Sequence, residues 1–259
     1  MTLVWACIAP HGGLVFEQLE APTRKGMEEL GRRFNEVQPE AVIVLTPHGT
    51  HADGHFVVVR SAMLDGDAAQ WTDEDSNYEG PGDPELADAC IRALQEDGLP
   101  ALGITFGATA AGASTMPLDW GTAIPLYFMS APAVVVSPNR SLTNDQHVRA
   151  GAALARATTD RRVALIASAD HGHGHSEDGP YGFAAESAPY DEEIQAVVRE
   201  NRLGDLVAKD PKWAIDAKAD SFWQLLMLHG AIGTGFEPDL LSYEAPTYFG
   251  MLTAAYKPQ

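Results

Sequence analysis

Three histidines of this chain sit in one recurring context, and that context suits chemistry at a metal. Leu3-Val4-Trp5-Ala6-Cys7-Ile8-Ala9 runs into Pro10-His11-Gly12-Gly13. Val42-Ile43-Val44-Leu45-Thr46 runs into Pro47-His48-Gly49. Val163-Ala164-Leu165-Ile166-Ala167-Ser168 runs into Ala169-Asp170-His171-Gly172-His173. Each is a short apolar run that stops abruptly, the pattern of a buried strand. Open α/β sheets bind their ligands beyond the carboxyl ends of the strands, so three such strands would bring imidazoles to one edge. Glycine after His11 and His48 lets backbone come close to a ligand there. Imidazole suits iron, zinc, copper and nickel, so a further group must decide the chemistry. Two histidines and a carboxylate with open positions make a non-haem Fe(II) site, and a closed four-ligand cage makes structural zinc. A thiolate cage is excluded, because Cys7 and Cys90 are the only cysteines and lack metal-type spacing.

The elements that must position these groups follow in order. Met27, Leu30, Phe34 and Val37 recur at helical spacing and predict a helix over residues 23–38, with Thr23 as its N-cap. Phe56-Val57-Val58-Val59-Arg60 reads as a strand neighbouring the His48 strand. Residues 65–82, rich in Asp, Gly and Asn, read as a long loop of the lid or specificity kind. Asp83-Pro84 opens a helix, with Asp as cap and Pro at the first position. Residues 103–107 and 133–137 read as strands, 144–158, 190–201 and 221–230 as helices, and 248–256 as a last strand. Strands alternate with helices and no composition break divides them. The expected fold is α/β, a single-domain three-layer sandwich over residues 1–259 with a mixed central sheet and helices on both faces.

The 36 acidic residues outnumber the 17 lysines and arginines, for a formal charge of −19. That balance argues against nucleic acid or an anionic membrane as partner. Arg24-Lys25 and Arg161-Arg162 are isolated basic pairs, not a patch. No apolar run approaches the ~20 residues of a membrane helix, and no basic stretch precedes the first strand. The expectation is a cytoplasmic protein with reduced, packed thiols. No Gly-x-Ser-x-Gly elbow, phosphate-binding loop or dinucleotide fingerprint is present.

Four motifs in order resemble those of the class III extradiol ring-cleavage dioxygenases. They are Ala9-Pro10-His11-Gly12, Thr46-Pro47-His48, Asp119-Trp120-Gly121 with Pro125-Leu126 after three residues, and the run from Ser168 to His173. The likeness is to the catalytic (B) subunit of protocatechuate 4,5-dioxygenase, with Memo-like proteins as relatives, and it covers nearly the whole chain. The resemblance implies a mononuclear Fe(II) held by His11, His48 and a carboxylate just before a C-terminal helix. That carboxylate falls on Asp220, one methylene shorter than the Glu usual in these dioxygenases, with Glu244 as the fallback. His173 matches the family's acid/base histidine. Trp120 and His171 depart from the pattern, and together with Gly12 they are candidate walls of a substrate pocket. The implied substrates are O2 and a catechol or 2-aminophenol, and the implied assembly is a homo-oligomer, with or without a small partner subunit.

Two other readings stay open. A zinc-dependent hydrolase on a similar sheet would use the same residue types, so sequence leaves iron and zinc undecided. A Memo-like protein would bind metal or peptide in the same cleft without ring cleavage; its mark is Cys at the third ligand position, where this chain has Asp220. His51, His55 and His175 are read as loop residues beside the site, and His147 and His229 as structural.

Overall fold

Strand β1 (Leu3–Ala9) sends alternate side chains into two different cores. Ala6 and Ile8 enter one, and Trp5, Cys7 and Ala9 enter the other. The two-residue period of a strand requires this wherever both faces of a sheet are covered, which is why the run reads as continuously apolar. The computed structural model describes residues 3–66, 77–108 and 110–259. After β1 come α1 (Leu14–Glu17), α2 (Pro22–Val37), β2 (Ala41–Leu45), β3 (Phe56–Val59), β4 (Met63–Gly66) and β5 (Tyr78–Pro81). Next are α3 (Pro84–Glu96), β6 (Ala101–Ile104), β7 (Thr115–Pro117), α4 (Trp120–Phe128), β8 (Ala133–Ser137), α5 (Asn144–Ala157) and β9 (Val163–Ser168). Then follow α6 (Ser187–Arg199), α7 (Pro211–Asp216), α8 (Phe222–Ile232), β10 (Phe236–Glu244) and β11 (Met251–Pro258).

The main sheet has eight strands in the order β10-β11-β1-β9-β2-β8-β3-β6. β1, β9, β2 and β8 are successive parallel neighbours. β11 is antiparallel to β1 and β3 to β8, so the sheet is mixed. α2 and α4 cover one face, and α3, α5, α6 and α8 the other. This is the three-layer α/β sandwich expected. β9 lies between β1 and β2, so the carboxyl ends of the three histidine-bearing runs share one edge.

Helix α8 has no polar face: Phe222, Trp223, Gln224, Leu225, Leu226, Met227 and Leu228 are all buried. A helix of that kind has to run through the interior. It packs against β1 and β9, which brings the residues ahead of its first turn to the ends of those strands.

Several local expectations need correction. Pro22, not Thr23, begins α2, because a ring with fixed φ and no N–H suits the first helical position. β8 separates β3 from β2. The strand expected at residues 103–107 is β6 and ends at Ile104. The loop expected over residues 65–82 contains parts of β4 and β5, which form a small sheet with β7; residues 67–76 lie outside the described residues. β10 breaks the expected alternation, forming an antiparallel pair with β11. Among the described residues no helix is long and apolar enough to cross a membrane. Both cysteines are free and buried, as expected.

Candidate metal centre

His11, His48 and Asp220 converge at the shared strand edge, each offering a ligand atom within 4.8 Å of the others. His11 Nε2 lies 3.1 Å from His48 Nε2. Asp220 Oδ2 is 3.4 Å from His11 Nε2 and 3.3 Å from His48 Nε2. Ligand atoms bound to one ion at about 2.0–2.2 Å stand roughly 3.0–3.5 Å apart, so this triangle has the size a single first-row cation needs. Two imidazole nitrogens and a carboxylate oxygen facing one point is also an arrangement that a cation stabilises. The residues fit a metal.

Each ligand is held by its local chain. His11 Nδ1 is 2.9 Å from Ser168 Oγ, at the end of β9. The Ser168 hydroxyl donates to the Gly121 carbonyl, so toward His11 it accepts, and the proton on His11 belongs to Nδ1. That leaves Nε2 as the donor atom for a metal, the tautomer control that ligating histidines commonly have. The His48 ring stacks on Trp120, with centroids 4.2 Å apart and planes at 28°. Trp120 is the first residue of α4, whose cap, Asp119, accepts from Thr122 N at 3.0 Å and from Thr46 Oγ1 at 2.7 Å. The end of β2 and the start of α4 are therefore locked together around His48. Asp220 accepts from the Asp170 backbone N–H at 3.1 Å and stands just ahead of α8, where the helix dipole favours a negative group.

Asp170 was not singled out by its sequence position. It accepts the His11 backbone N–H at 3.1 Å, and its other oxygen lies 3.5 Å from His11 Nε2. Its position one residue before a strand-end histidine was the available signal. Burial opposes a charge on His11, but Asp170 and Asp220 outweigh it and hold the imidazole pKa up to about 9. Burial pushes Asp170 upward. Burial works the same way on Asp220, yet His11 and His48 beside it keep it well below the usual carboxylate range.

His173 stands beside the triangle, its Nε2 4.0 Å from Asp220 Oδ2. Its ring stacks on Phe249, with centroids 5.4 Å apart and planes at 16°. Gly12 makes that stack possible, since a Cβ there would lie 2.5 Å from the Phe249 ring. A cavity of about 380 Å³ opens on the group, with walls that include His11, Gly12, His48, Trp120, His173 and Phe249. A second lobe of about 250 Å³ shares His48 and His173 and reaches Asp220.

Other expected residues fall elsewhere. His171 is wholly buried behind the site, 3.0 Å from Ser221 Oγ, and does not wall either lobe. Glu244 lies at the end of β10, where it accepts the Thr23 N–H at 2.8 Å, so the fallback carboxylate is tied to the start of α2 and lies outside the His11–His48–Asp220 group. His175 binds Asp191 at 2.8 Å.

A parallel-sheet edge carrying two histidines, an aspartate and a third histidine alongside defines an α/β protein with a group that could hold one metal ion. The pattern of the catalytic LigB subunit of aromatic ring-opening dioxygenase matches residues 7–252, and the chain belongs to that family. Membership supports aromatic ring-opening dioxygenase chemistry at the level of the family. Protein CA_C1420 of Clostridium acetobutylicum is 22% identical over 244 residues, 92% of this chain and 52% of that protein. The chain thus spans about half the length of that curated relative. The crystal structure of the uncharacterized protein JW3007 from Escherichia coli K12 shares the fold, with a TM-score of 0.65 and 19% identity over 97% of this chain and 99% of that one.

Proposed function

We propose that the chain is a non-haem Fe(II)-dependent extradiol dioxygenase that opens the ring of a catechol or 2-aminophenol with both atoms of O2. The observation that carries the reading is the His11–His48–Asp220 triangle, with edges of 3.1–3.4 Å, beside an open cavity. A ferrous ion on these three groups would supply coordination for two vicinal substrate oxygens and for O2, and the electron transfer between them.

The chain's own residues do the rest. Ser168 and Asp170 orient His11, and Asp119 orients the segment that carries His48 and Trp120. Trp120 and Phe249 give the aromatic ring two flat apolar walls and exclude water from that side. His173 takes the proton of a substrate hydroxyl at a ring nitrogen and returns it as the ring opens. An imidazole suits both tasks because it exchanges protons near neutral pH. The buried Nδ1 of His173 has no hydrogen-bond partner among the described residues.

The test is oxygen uptake by protein loaded anaerobically with ferrous salt, screened against catechols and aminophenols. The expected result is stoichiometric O2 consumption with yellow ring-fission products, restored by Fe(II) and not by zinc. Activity on ester or amide substrates with zinc would replace this reading with a hydrolase. Metal binding with neither activity would replace it with a Memo-like binding role.

A further inference from the structure

Helix α6 adds no wall to either lobe of the cavity, yet it carries a buried carboxylate behind one of them. Asp191 is 1% exposed, and its ion-pair partner among the described residues is His175, not a lysine or arginine. Taking an anion out of water is costly unless its lone pairs find donors. Asp191 has three. Its Oδ1 accepts from the Gly172 N–H at 2.7 Å, and its Oδ2 from the Tyr243 hydroxyl at 2.7 Å and from His175 Nε2 at 2.8 Å.

The donors are not scattered. Gly172 and His175 bracket His173 in the chain. Asp191 Oδ2 also lies against Gly250, where a Cβ would fall 1.9 Å from it, so only glycine lets that strand pass. Gly250 follows Phe249, the residue whose ring stacks on His173. The two segments are tied to each other as well. The His171 N–H donates to the Gly250 carbonyl at 2.8 Å, the Gly250 N–H to the Gly172 carbonyl at 3.1 Å, and the His175 N–H to the Tyr248 carbonyl at 3.0 Å. Ser187, one turn earlier on α6, accepts the Gly174 N–H at 2.9 Å and donates to the Ala217 carbonyl at 2.9 Å. The same carbonyl accepts the His173 N–H at 3.2 Å.

We infer that Asp191 is the positioning residue for His173. From behind the site it fixes the backbone on both sides of that histidine and holds it against the Phe249 segment. The imidazole then stands at one distance and one angle from the His11–His48–Asp220 group. Bonds to an ionised carboxylate are about twice as strong as those between neutral groups, so a charge is well placed to hold a loop of this kind. The proton-transfer role of His173 rests on the ring-opening reading. Its placement by Asp191 rests on these contacts alone.

Two variants grade the contact. Asp191→Asn keeps an oxygen for the Gly172 N–H but meets the other two donors with an amide group, and Asp191→Ala loses all three. Protein with isotopically labelled histidine rings is loaded with zinc, which keeps the NMR lines narrow. His173 is assigned by the signal that disappears in His173→Phe. Lying over the face of Phe249, its ring proton should resonate upfield in the wild type. That shift should shrink in Asp191→Asn and vanish in Asp191→Ala, with the His11 and His48 signals and the zinc stoichiometry unchanged. Catechol turnover by iron-loaded protein should fall in the same order, by up to about 100-fold in kcat with KM held within about twofold. An unmoved His173 signal in both variants overturns the proposal. A change that spreads to His11 and His48, or removes the metal, overturns it too, because that is a general loss of structure. Should Asp191→Ala fail to fold, Asp191→Asn decides alone. If the wild type opens no catechol ring while the His173 signal shifts as expected, the ring-opening reading falls and the positioning stands. Ring opening with an unmoved signal does the reverse.

Discussion

Pro125 and Ser168 meet through a single carbonyl. Pro125 lies inside α4 and has no N–H, so the Gly121 carbonyl four residues earlier loses its helical donor. The Ser168 hydroxyl takes that place and is then left to accept from His11 Nδ1 at 2.9 Å. A missing amide proton in one helix thus decides which nitrogen of a histidine on another element faces the metal site. Ser168→Ala should weaken metal binding by roughly 10–100-fold. Pro125→Ala, which restores the helical donor and frees the serine proton to compete at Nδ1, should weaken it in the same direction. Chelator competition with ferrous ion and with zinc measures both, and unchanged affinity in Ser168→Ala would show that the tautomer is set elsewhere.

Removing a ligand should differ in kind from removing the neighbouring imidazole. His11→Ala, His48→Ala and Asp220→Asn are each expected to lose stoichiometric metal. His173→Phe should keep its metal and lose most turnover, because the ring still fills the space against Phe249. Elemental analysis paired with an oxygen electrode separates the two groups, and normal catechol cleavage by His173→Phe would remove it from the acid/base role.

Gly12→Ala tests the support behind His173. The new methyl would fall 2.5 Å from the Phe249 ring and displace it, and with it the stacked imidazole. The expected outcome is retained metal, reduced turnover and a stability loss of about 1–3 kcal/mol from overpacking. Metal content and thermal melting of the purified variant give the answer.

The fold also predicts a pH response away from the site. His147 is fully buried on α5, with Nδ1 2.8 Å from the Thr143 carbonyl, and burial pushes its pKa down to about 4. The unfolded chain takes up this proton near pH 6.5 and the folded one only near pH 4, so between those values the unfolded state binds more protons. Stability therefore falls as pH drops through that window, by roughly 3 kcal/mol for this residue. Urea midpoints at pH 4.5 and 6.5 should shift less in His147→Gln than in the wild type, and parallel shifts would dismiss the residue as a contributor.

How much of this was legible beforehand follows from what each residue reports locally. His11 and His48 announce themselves because an apolar strand, a proline and a glycine surround each of them. Asp220 was reachable only through resemblance, since nothing in Ala219-Asp220-Ser221 distinguishes a ligand from a helix-flanking acid. Ser168 and Asp170 acquire their meaning from partners distant in sequence, which periodicity does not encode. β10 escaped for a different reason. Pro238 lies within it, and an edge strand tolerates a proline because one side of its backbone has no ladder to join. Thr23 failed as a cap because the preceding proline competes for the helix start.

The place of β9 between β1 and β2 has a consequence for synthesis. The ribosome delivers both histidine-bearing strands early, but the strand that spaces them arrives more than a hundred residues later, and Asp220 later still. Until then the nascent polypeptide has no formed cradle for an ion, and pairing over such separations is intrinsically slow. Metal loading, on the reading proposed above, would accordingly follow synthesis and be open to whichever cation the cell supplies at that moment.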